Sequence, residues 1–139
     1  MSAFHAVVWL DHREAHVIPI GVGGGAEHEA TIRPDAGGHA DRRRHIHHHA
    51  GSMTGKRSAA DAAFFAAIAD AMAEAKEWLV VGPSTARTEF ARYVREHRPD
   101  LAPRILAVEP MDHPTDREIA AYAKRWFRAA DRMRPVLDR

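Results

Sequence analysis

The sequence predicts an α/β domain with a mixed five-stranded sheet and helices on both faces. Residues 5–33 contain three short apolar or alternating runs joined by turn-forming residues, which is typical of antiparallel strands. From residue 58 onward, helical apolar spacing alternates with continuous apolar runs of strand length, which is typical of parallel strands joined by crossover helices. The order β-β-β-α-β-α-β-α therefore predicts three antiparallel strands followed by two parallel ones.

The first three strands follow from local sequence. HAVVWL at 5–10 and AHVIPI at 15–20 form a predicted hairpin that turns at residues 11–13. GVGGG at 21–25 is a second turn, and HEATIR at 28–33 alternates as a third strand. Because the glycines precede a strand, they lack the helix N-terminus that a phosphate-binding loop requires.

The rest of the chain alternates helices with strands. Ser58 is the candidate N-cap of a first helix that ends near Lys76. EWLVVG at 77–82 and RILAVE at 104–109 are apolar runs typical of strands buried on both faces. Core-facing positions are predicted in the three helices at Phe64, Phe65, Ile68 and Met72, at Phe90, Tyr93, Val94 and His97, and at Ile119, Tyr122, Ala123, Trp126, Phe127, Ala130 and Met133.

The helix boundaries have their own signals. Ser84 is the candidate cap of the second helix, and Pro99 ends it. The third helix opens on a capping box from Thr115 to Glu118. The three tryptophans are predicted to be core or interface residues, since they occupy apolar positions. This order of elements is the plan of the ribonuclease-H-like fold.

Length and composition set further limits. With 139 residues, the chain is long enough for one domain with a sizeable core, predicted to span residues 1–139. The absence of cysteine excludes disulfides, thiolate zinc sites and thiol catalysis. Neither a signal peptide nor a membrane-spanning segment is predicted, so we expect a cytoplasmic protein without a membrane partner. The sequence leaves the oligomeric state, including a homo-oligomer, open.

One basic segment contrasts with a mildly acidic remainder. Residues 42–57, RRRHIHHHAGSMTGKR, contain five Lys or Arg and four His but no acidic residue. Of the 20 basic residues of the chain, 15 lie elsewhere, together with all 19 acidic ones. The segment belongs to a predicted long loop at 34–57, which has no apolar periodicity. This distribution favours a localised polyanion contact, while a merely solvated loop in a structural interaction module is the simpler alternative.

Four segments carry a resemblance to a known family: HAVVWLDHREAHV at 5–17, HIHHHAGSMTGKR at 45–57, WLVVGPSTARTEF at 78–90 and HPTDREIAAYAKRWFRAADRM at 113–133. They resemble the small bacterial proteins labelled "translational machinery protein". Those proteins are similar to the middle domain of eukaryotic and archaeal release factors and of Pelota, the stalled-ribosome rescue factor. The resemblance covers most of the chain and implies a translation role with the ribosome, rRNA or tRNA as partner.

The resemblance has one notable departure. Release factors carry a Gly-Gly-Gln tripeptide in the loop before the first helix, and that loop enters the peptidyl transferase centre. The corresponding stretch, HAGSMTGKRSAAD at 49–61, contains Gly51 and Gly55 but no Gln. Peptidyl-tRNA hydrolysis is therefore not implied. A Pelota-like role, in which the middle domain binds the ribosome without cleaving an ester, is implied instead.

An RNA contact would use the cations and glycines of the basic segment. The cations would neutralise phosphates, and the release of the phosphates' counterions would favour binding. The glycines would let the backbone approach the phosphates closely. Because no aromatic residue lies among the cations, base-specific recognition is not indicated. The candidate RNA-binding residues are Arg42, Arg43, Arg44, Gly51, Gly55, Lys56 and Arg57.

A metal site is the alternative function for the same segment. His45, His47 and His49 would project to one side of an extended chain, and imidazole clusters suit zinc or nickel. The segment offers no carboxylate to orient a ring, so we expect no resident cofactor. The histidines could also act as a charge reserve that strengthens polyanion binding as the pH falls.

GPSTAR at 82–87 is a weaker candidate for anion binding. It places a helix N-terminus after a buried strand, so Ser84, Thr85 and Arg87 could hold a phosphate on free backbone N–H groups. A capped turn is the simpler interpretation.

Nuclease activity is a further possibility, because ribonuclease-H-like folds often hold two metal ions on carboxylates at strand ends. Asp11 ends the first strand and Glu14 begins the second, but the fourth strand ends in Gly82 and the fifth in Glu109. Scattered acids of this kind do not predict such a site, and Asp11 is more simply a turn residue. We therefore expect no catalytic residue and no enzymatic activity.

Overall fold

A computed structural model describes residues 4–21, 29–34 and 50–133, with side chains described except at 50–59 and 133. Five strands form one sheet: β1 His5–Leu10, β2 Ala15–Ile20, β3 Ala30–Ile32, β4 Glu77–Gly82 and β5 Ile105–Pro110. Their order is β3-β2-β1-β4-β5. β1 pairs antiparallel with β2, and β2 with β3, whereas β1 pairs parallel with β4, and β4 with β5. The predicted mixed sheet is confirmed.

Within the described ranges, three helices cover the sheet: α1 Ala50–Met72, α2 Ala86–His97 and α3 Asp116–Met133. A short 3-10 turn at Ala102–Arg104 leads into β5. α1 and α2 pack on one face, and α3 packs on the other, mainly over β1 and β2. Helices on both faces were predicted, and the whole arrangement is the ribonuclease-H-like one.

The two faces of the sheet have separate cores because side chains alternate along each strand. In β1, Val8 and Leu10 face α1 and α2, whereas Val7 and Trp9 face α3. β4 is buried on both faces, as its continuous apolar run predicts. The fully buried residues of β4 are Trp78, Leu79, Val80 and Val81.

The helices bury most of the positions that their apolar spacing predicts, but the prediction is wrong for His97, which is exposed at the end of α2. Buried positions on the helices are Phe64, Phe65, Ile68 and Met72 in α1, Phe90 and Val94 in α2, and Ile119, Ala123 and Phe127 in α3. The capping box of α3 is confirmed as well. Thr115 N donates to Glu118 Oε1 at 2.8 Å, and Glu118 N donates to Thr115 Oγ1 at 3.1 Å.

The interpretation of Asp11 as a turn residue is confirmed. Its Oδ1 accepts hydrogen bonds from the backbone N–H groups of Arg13 at 2.8 Å and Glu14 at 2.9 Å. The backbone N–H of Asp11 donates to the carbonyl of Glu14 at 3.1 Å. This side chain therefore closes the β1–β2 hairpin.

The predicted start of the first helix is wrong. α1 begins at Ala50 and not at Ser58, so the predicted loop at 34–57 ends before residue 50. Residues 35–49 lie outside the described part of the chain. Extending a helix costs less than nucleating one, and Ala, Met, Lys and Arg are good helix formers, so the packed part of α1 can continue toward the N-terminus through two glycines.

Two other local predictions are corrected. The N-cap of α2 is Thr85 and not Ser84, and it makes no side-chain capping bond. β5 was expected to be buried on both faces, but it lies at the end of the strand order, and Leu106 is 37 % exposed. Position within a sheet depends on pairing, which an apolar run alone does not reveal.

Candidate nucleic-acid interface

The basic segment leads directly into α1. Of the predicted RNA-binding residues, Gly51, Gly55, Lys56 and Arg57 belong to the helical backbone that begins at Ala50. The positive end of the α1 dipole therefore lies within this segment, and a helix N-terminus favours bound anions. The other predicted residues lie outside the described part: Arg42, Arg43 and Arg44, and the candidate metal ligands His45, His47 and His49. Phosphate binding by this segment stays a prediction.

The turn between β4 and α2 brings the three weaker anion-site candidates together. Arg87 folds back on the turn, where its Nη1 donates to the carbonyls of Gly82 at 3.0 Å and Ser84 at 2.6 Å. Thr85 Oγ1 donates to Glu89 Oε2 at 3.1 Å, which places a carboxylate in the first turn of α2. Arg87 already donates hydrogen bonds to two carbonyl oxygens, and Glu89 adds a negative charge. The side chains of this turn therefore stabilise its own backbone. Anion binding there stays a prediction.

At the end of the sheet where β1 turns into β2, a histidine and several carboxylates form a network. His16 lies between Asp116 and Glu14, with Nδ1 at 2.8 Å from Asp116 Oδ1 and Nε2 at 3.0 Å from Glu14 Oε2. Arg33 donates to the other oxygen of Glu14 at 3.1 Å. A hydrogen bond with Asp116 raises the pKa of the Glu29 carboxyl. These acids are engaged with one another and with two basic side chains.

Glu109, the acid at the end of β5, anchors α3. One of its oxygens accepts a hydrogen bond from the Tyr122 hydroxyl, and the other accepts one from Trp126 Nε1 at 3.1 Å. The bond to Glu109 is the largest cause of a raised pKa for Tyr122, with burial and the carboxylate charge adding to it. Trp9 connects β1 to the segment between β5 and α3, because its Nε1 donates to the Asp112 carbonyl at 2.6 Å.

At the opposite ends of β1 and β4, the structure assembles a cluster that the sequence pattern did not predict. His5 and Glu77 are direct partners in the parallel pairing, and Asp131 reaches them from α3. His5 Nε2 lies 3.2 Å from Glu77 Oε1, and one ligand atom from each of the three residues lies within 4.8 Å of the others. Imidazole and carboxylate groups are ligands that zinc accepts. No sequence motif joins these residues, since strand pairing brings His5 and Glu77 together and the packing of α3 adds Asp131.

A basic surface on α3 was not predicted either. We call Arg117, Lys124, Arg125, Arg128 and Arg132 the basic stripe. At 100° per residue these positions fall on one side of the helix, and all but the half-buried Lys124 are exposed. The signal is present in the sequence as Lys and Arg at helical spacing. Counting charges along segments of the chain does not reveal this surface, because its residues are separated in sequence and come together only on one side of the helix.

The fold and these surfaces define an α/β domain of ribonuclease-H-like topology with a basic segment at the start of α1 and basic residues along α3. No family model and no curated protein matches the chain. The "translational machinery protein" resemblance therefore stays a prediction.

Solved structures match the fold of a Pelota domain. Pelota of Archaeoglobus fulgidus is 15 % identical, with a TM-score of 0.58 over 90 % of this chain and 32 % of that one. Pelota of Thermoplasma acidophilum is 16 % identical, with a TM-score of 0.58 over 88 % of this chain and 32 % of that one. Dom34 of Saccharomyces cerevisiae, described as a translation termination-like factor involved in RNA quality control pathways and interacting with Hbs1, is 15 % identical, with a TM-score of 0.44 over 77 % of this chain and 29 % of that one.

The likenesses to the two Pelota structures confirm the resemblance to a Pelota domain at the level of fold. The chain spans about a third of the length of the Pelota structures it matches. Among the helices in the described ranges, none is both long and apolar enough to cross a membrane.

Proposed function

We propose that this chain is a translation-associated protein that binds RNA or the ribosome through residues 42–57. The observation that carries the proposal is the position of the basic segment, which leads into the N-terminus of α1 on a fold shared with Pelota. Cations and the helix dipole would act on the same anion, because Arg42, Arg43 and Arg44 precede α1 in the sequence and Lys56 and Arg57 belong to its first turns. Binding would be dominated by phosphates and would therefore depend strongly on salt.

We further propose that binding, and not catalysis, is the function. The stretch at 49–61 lacks the Gln that the release-factor mechanism requires. At the strand ends, Asp11 closes a hairpin, Glu14 is paired with Arg33 and His16, and Glu109 holds two donors of α3. A two-metal nuclease needs carboxylates free to converge on its ions. Their engagement in structural contacts supports a function by binding without catalysis.

Removing the five cations of the basic segment is expected to weaken ribosome binding. In the variant R42A/R43A/R44A/K56A/R57A, binding should fall about tenfold at 0.1 M salt, because fewer bound phosphates release fewer of the counterions that drive association. The slope of log affinity against log salt should become shallower by about 0.7 to 0.9 for each phosphate that the variant no longer neutralises. Co-sedimentation of the purified chain with ribosomes between 0.05 and about 0.2 M salt measures both quantities.

Two controls make this test specific. The variant H45A/H47A/H48A/H49A keeps the five cations and should pellet as the unmodified chain does at neutral pH. The variant R92A/R95A removes two exposed cations of α2 and should change binding less than twofold. If the unmodified chain shows no salt-sensitive pelleting, the proposed function is wrong. If the five-cation variant pellets normally, the assignment to residues 42–57 is wrong.

Binding of a divalent cation is a second candidate function, favoured by the cluster of His5, Glu77 and Asp131 as well as by the histidines of the basic segment. We expect tag-free protein dialysed against zinc to retain metal when measured by plasma mass spectrometry. Loss in H47A/H49A would assign the metal to the basic segment, and loss in H5A would assign it to the cluster. Retention of less than about one tenth of an equivalent by the unmodified chain would contradict this candidate.

A further inference from the structure

A groove runs along the outer surface of α3. Its volume is about 400 Å³, and its lining comprises Glu29, Arg117, Ala120, Ala121, Lys124, Arg125 and Arg128. Four of these seven residues are cations of the basic stripe. The two alanines form a floor without long side chains, which lets an elongated ligand approach the helix closely. The groove is therefore a concave surface with positively charged sides.

The charges of the stripe are available to a ligand. Within the described residues, none of its five cations forms an ion pair with the protein's own carboxylates. By contrast, Arg33 and Arg98 are paired with acidic neighbours. From Arg117 to Arg132 the helix rises about 22 Å, which is long enough to contact several consecutive phosphates.

Glu29 is the acidic residue in the lining, and it forms a hydrogen bond with Asp116. The hydrogen bond with Asp116 raises the pKa of the Glu29 carboxyl, because two carboxylates close together share a proton more readily than either alone. The support for anion binding is the geometry of the cations, which outnumber this carboxyl four to one in the lining.

The chemistry of the groove favours a phosphate backbone over other anionic partners. Guanidinium groups offer planar pairs of donors that match phosphate oxygens, and four of the five stripe residues are arginines. A membrane-binding helix needs large apolar side chains beside its cations. Here Trp126 and Phe127 face the core side of α3, and Phe4 and Leu106 are the exposed large apolar residues among those described.

We infer that the basic stripe and its groove form a second RNA contact, which binds phosphates on the face of the sheet opposite α1. This inference deepens the proposed function and rests on it for the identity of the anion. α1 packs against β2 and β3 on one face, and α3 packs against β1 and β2 on the other. RNA held by both helices would pass around the β3 edge of the sheet, and each contact adds its own share of counterion release.

The test uses a fluorescently labelled 20-nucleotide oligouridine and the full chain, with binding followed by anisotropy. In R117A/K124A/R128A/R132A, binding at 0.1 M salt should weaken about tenfold, and the salt slope should fall by about 3. The matched control R13A/K76A/R92A/R95A removes the same number of positive charges, all of them exposed, elsewhere and should change binding less than about threefold. Equal effects of the two variants would overturn the inference, since net charge alone would then explain binding.

A single substitution provides an independent check on the groove itself. Ala121→Glu puts a carboxylate on the groove floor with a good helix former, so the helix should persist while RNA binding falls at least about threefold. Circular dichroism melts identify any variant that fails to fold. If Ala121→Glu folds and binds as the unmodified chain does, the groove is not the contact.

Further probes separate this inference from the proposed function. Stronger binding to phosphatidylserine vesicles or polyglutamate than to oligouridine would overturn the assignment to RNA. If the stripe variant pellets with ribosomes and binds oligouridine normally while the 42–57 variant does neither, the inference fails and the proposed function stands. If ribosomes are not bound and oligouridine binding needs the stripe but not the cations of residues 42–57, the proposed function fails and the stripe remains an RNA contact.

Discussion

Replacing Gly82 with alanine is expected to destabilise the fold by about 3 kcal/mol or more. A Cβ at this position would overlap the carbonyl oxygen of Leu10 and lie 3.3 Å from its carbonyl carbon. Both contacts are with backbone, so no side-chain rotation can relieve them, and β1 and β4 would have to separate. The carbonyl of Gly82 also accepts hydrogen bonds from Arg87 and from the backbone N–H of Met111, so the turn before α2 would shift as well.

Urea unfolding followed by circular dichroism measures this effect, and Ser84→Ala is the matched control in the same turn. The Ser84 hydroxyl is buried and makes no hydrogen bond among the described residues. Its removal should therefore change the free energy of unfolding by less than about 0.5 kcal/mol, or stabilise slightly. A loss below about 1 kcal/mol for Gly82→Ala would show that the strands accommodate the extra atom easily.

Much of the fold could be predicted because apolar spacing reports burial directly. The continuous apolar runs in β1 and β4 distinguish strands near the middle of the sheet from loops, and Phe64 and Ile68 lie one helical turn apart on the buried face of α1. The start of α1 could not be predicted, because residues 50–57 have no apolar stripe to mark them as helical. The exposure of β5 could not be predicted either, since it follows from strand order.

The candidate sites also differ in whether a local sequence pattern reveals them. The basic segment at 42–57 is contiguous, so composition alone reveals it. The residues of the basic stripe recur at helical spacing. They can be recognised as one surface only when the buried face of α3 is known. The cluster of His5, Glu77 and Asp131 depends on strand pairing and on the position of α3 above it. No local pattern in the sequence contains that information.

The two faces of α3 connect stability to the proposed RNA contact. Its buried face is held by Ile119 and Phe127 in the core and by the two hydrogen bonds to Glu109. Its exposed face carries the basic stripe. A helix that is fixed on one side presents its cations in a constant geometry, and less entropy is lost when a ligand binds. Glu109 is therefore a positioning residue for a surface that it does not touch.

Replacing Glu109 with alanine is expected to destabilise the chain by about 2 kcal/mol, because the Tyr122 hydroxyl and Trp126 Nε1 would both lose a charged acceptor. Glu109→Gln retains one acceptor oxygen and should cost about half as much. Urea unfolding at pH 7 measures both variants. Oligouridine binding measured on the folded fraction should weaken in Glu109→Ala less than in the stripe variant. A Glu109→Ala chain as stable as the unmodified one would contradict this anchoring role.

The same contact predicts a pH dependence. The carboxylate of Glu109 raises the pKa of Tyr122 above its ordinary value of about 10, so the folded state holds this proton more tightly than the unfolded state. The resulting stabilisation is fully present below the unfolded pKa and is lost as the pH rises through the folded one. Ultraviolet titration of phenolate should therefore show Tyr122 ionising at lower pH in Glu109→Gln. The stability difference between that variant and the unmodified chain should shrink above about pH 10, and a constant difference would mean that the Tyr122 proton is not involved.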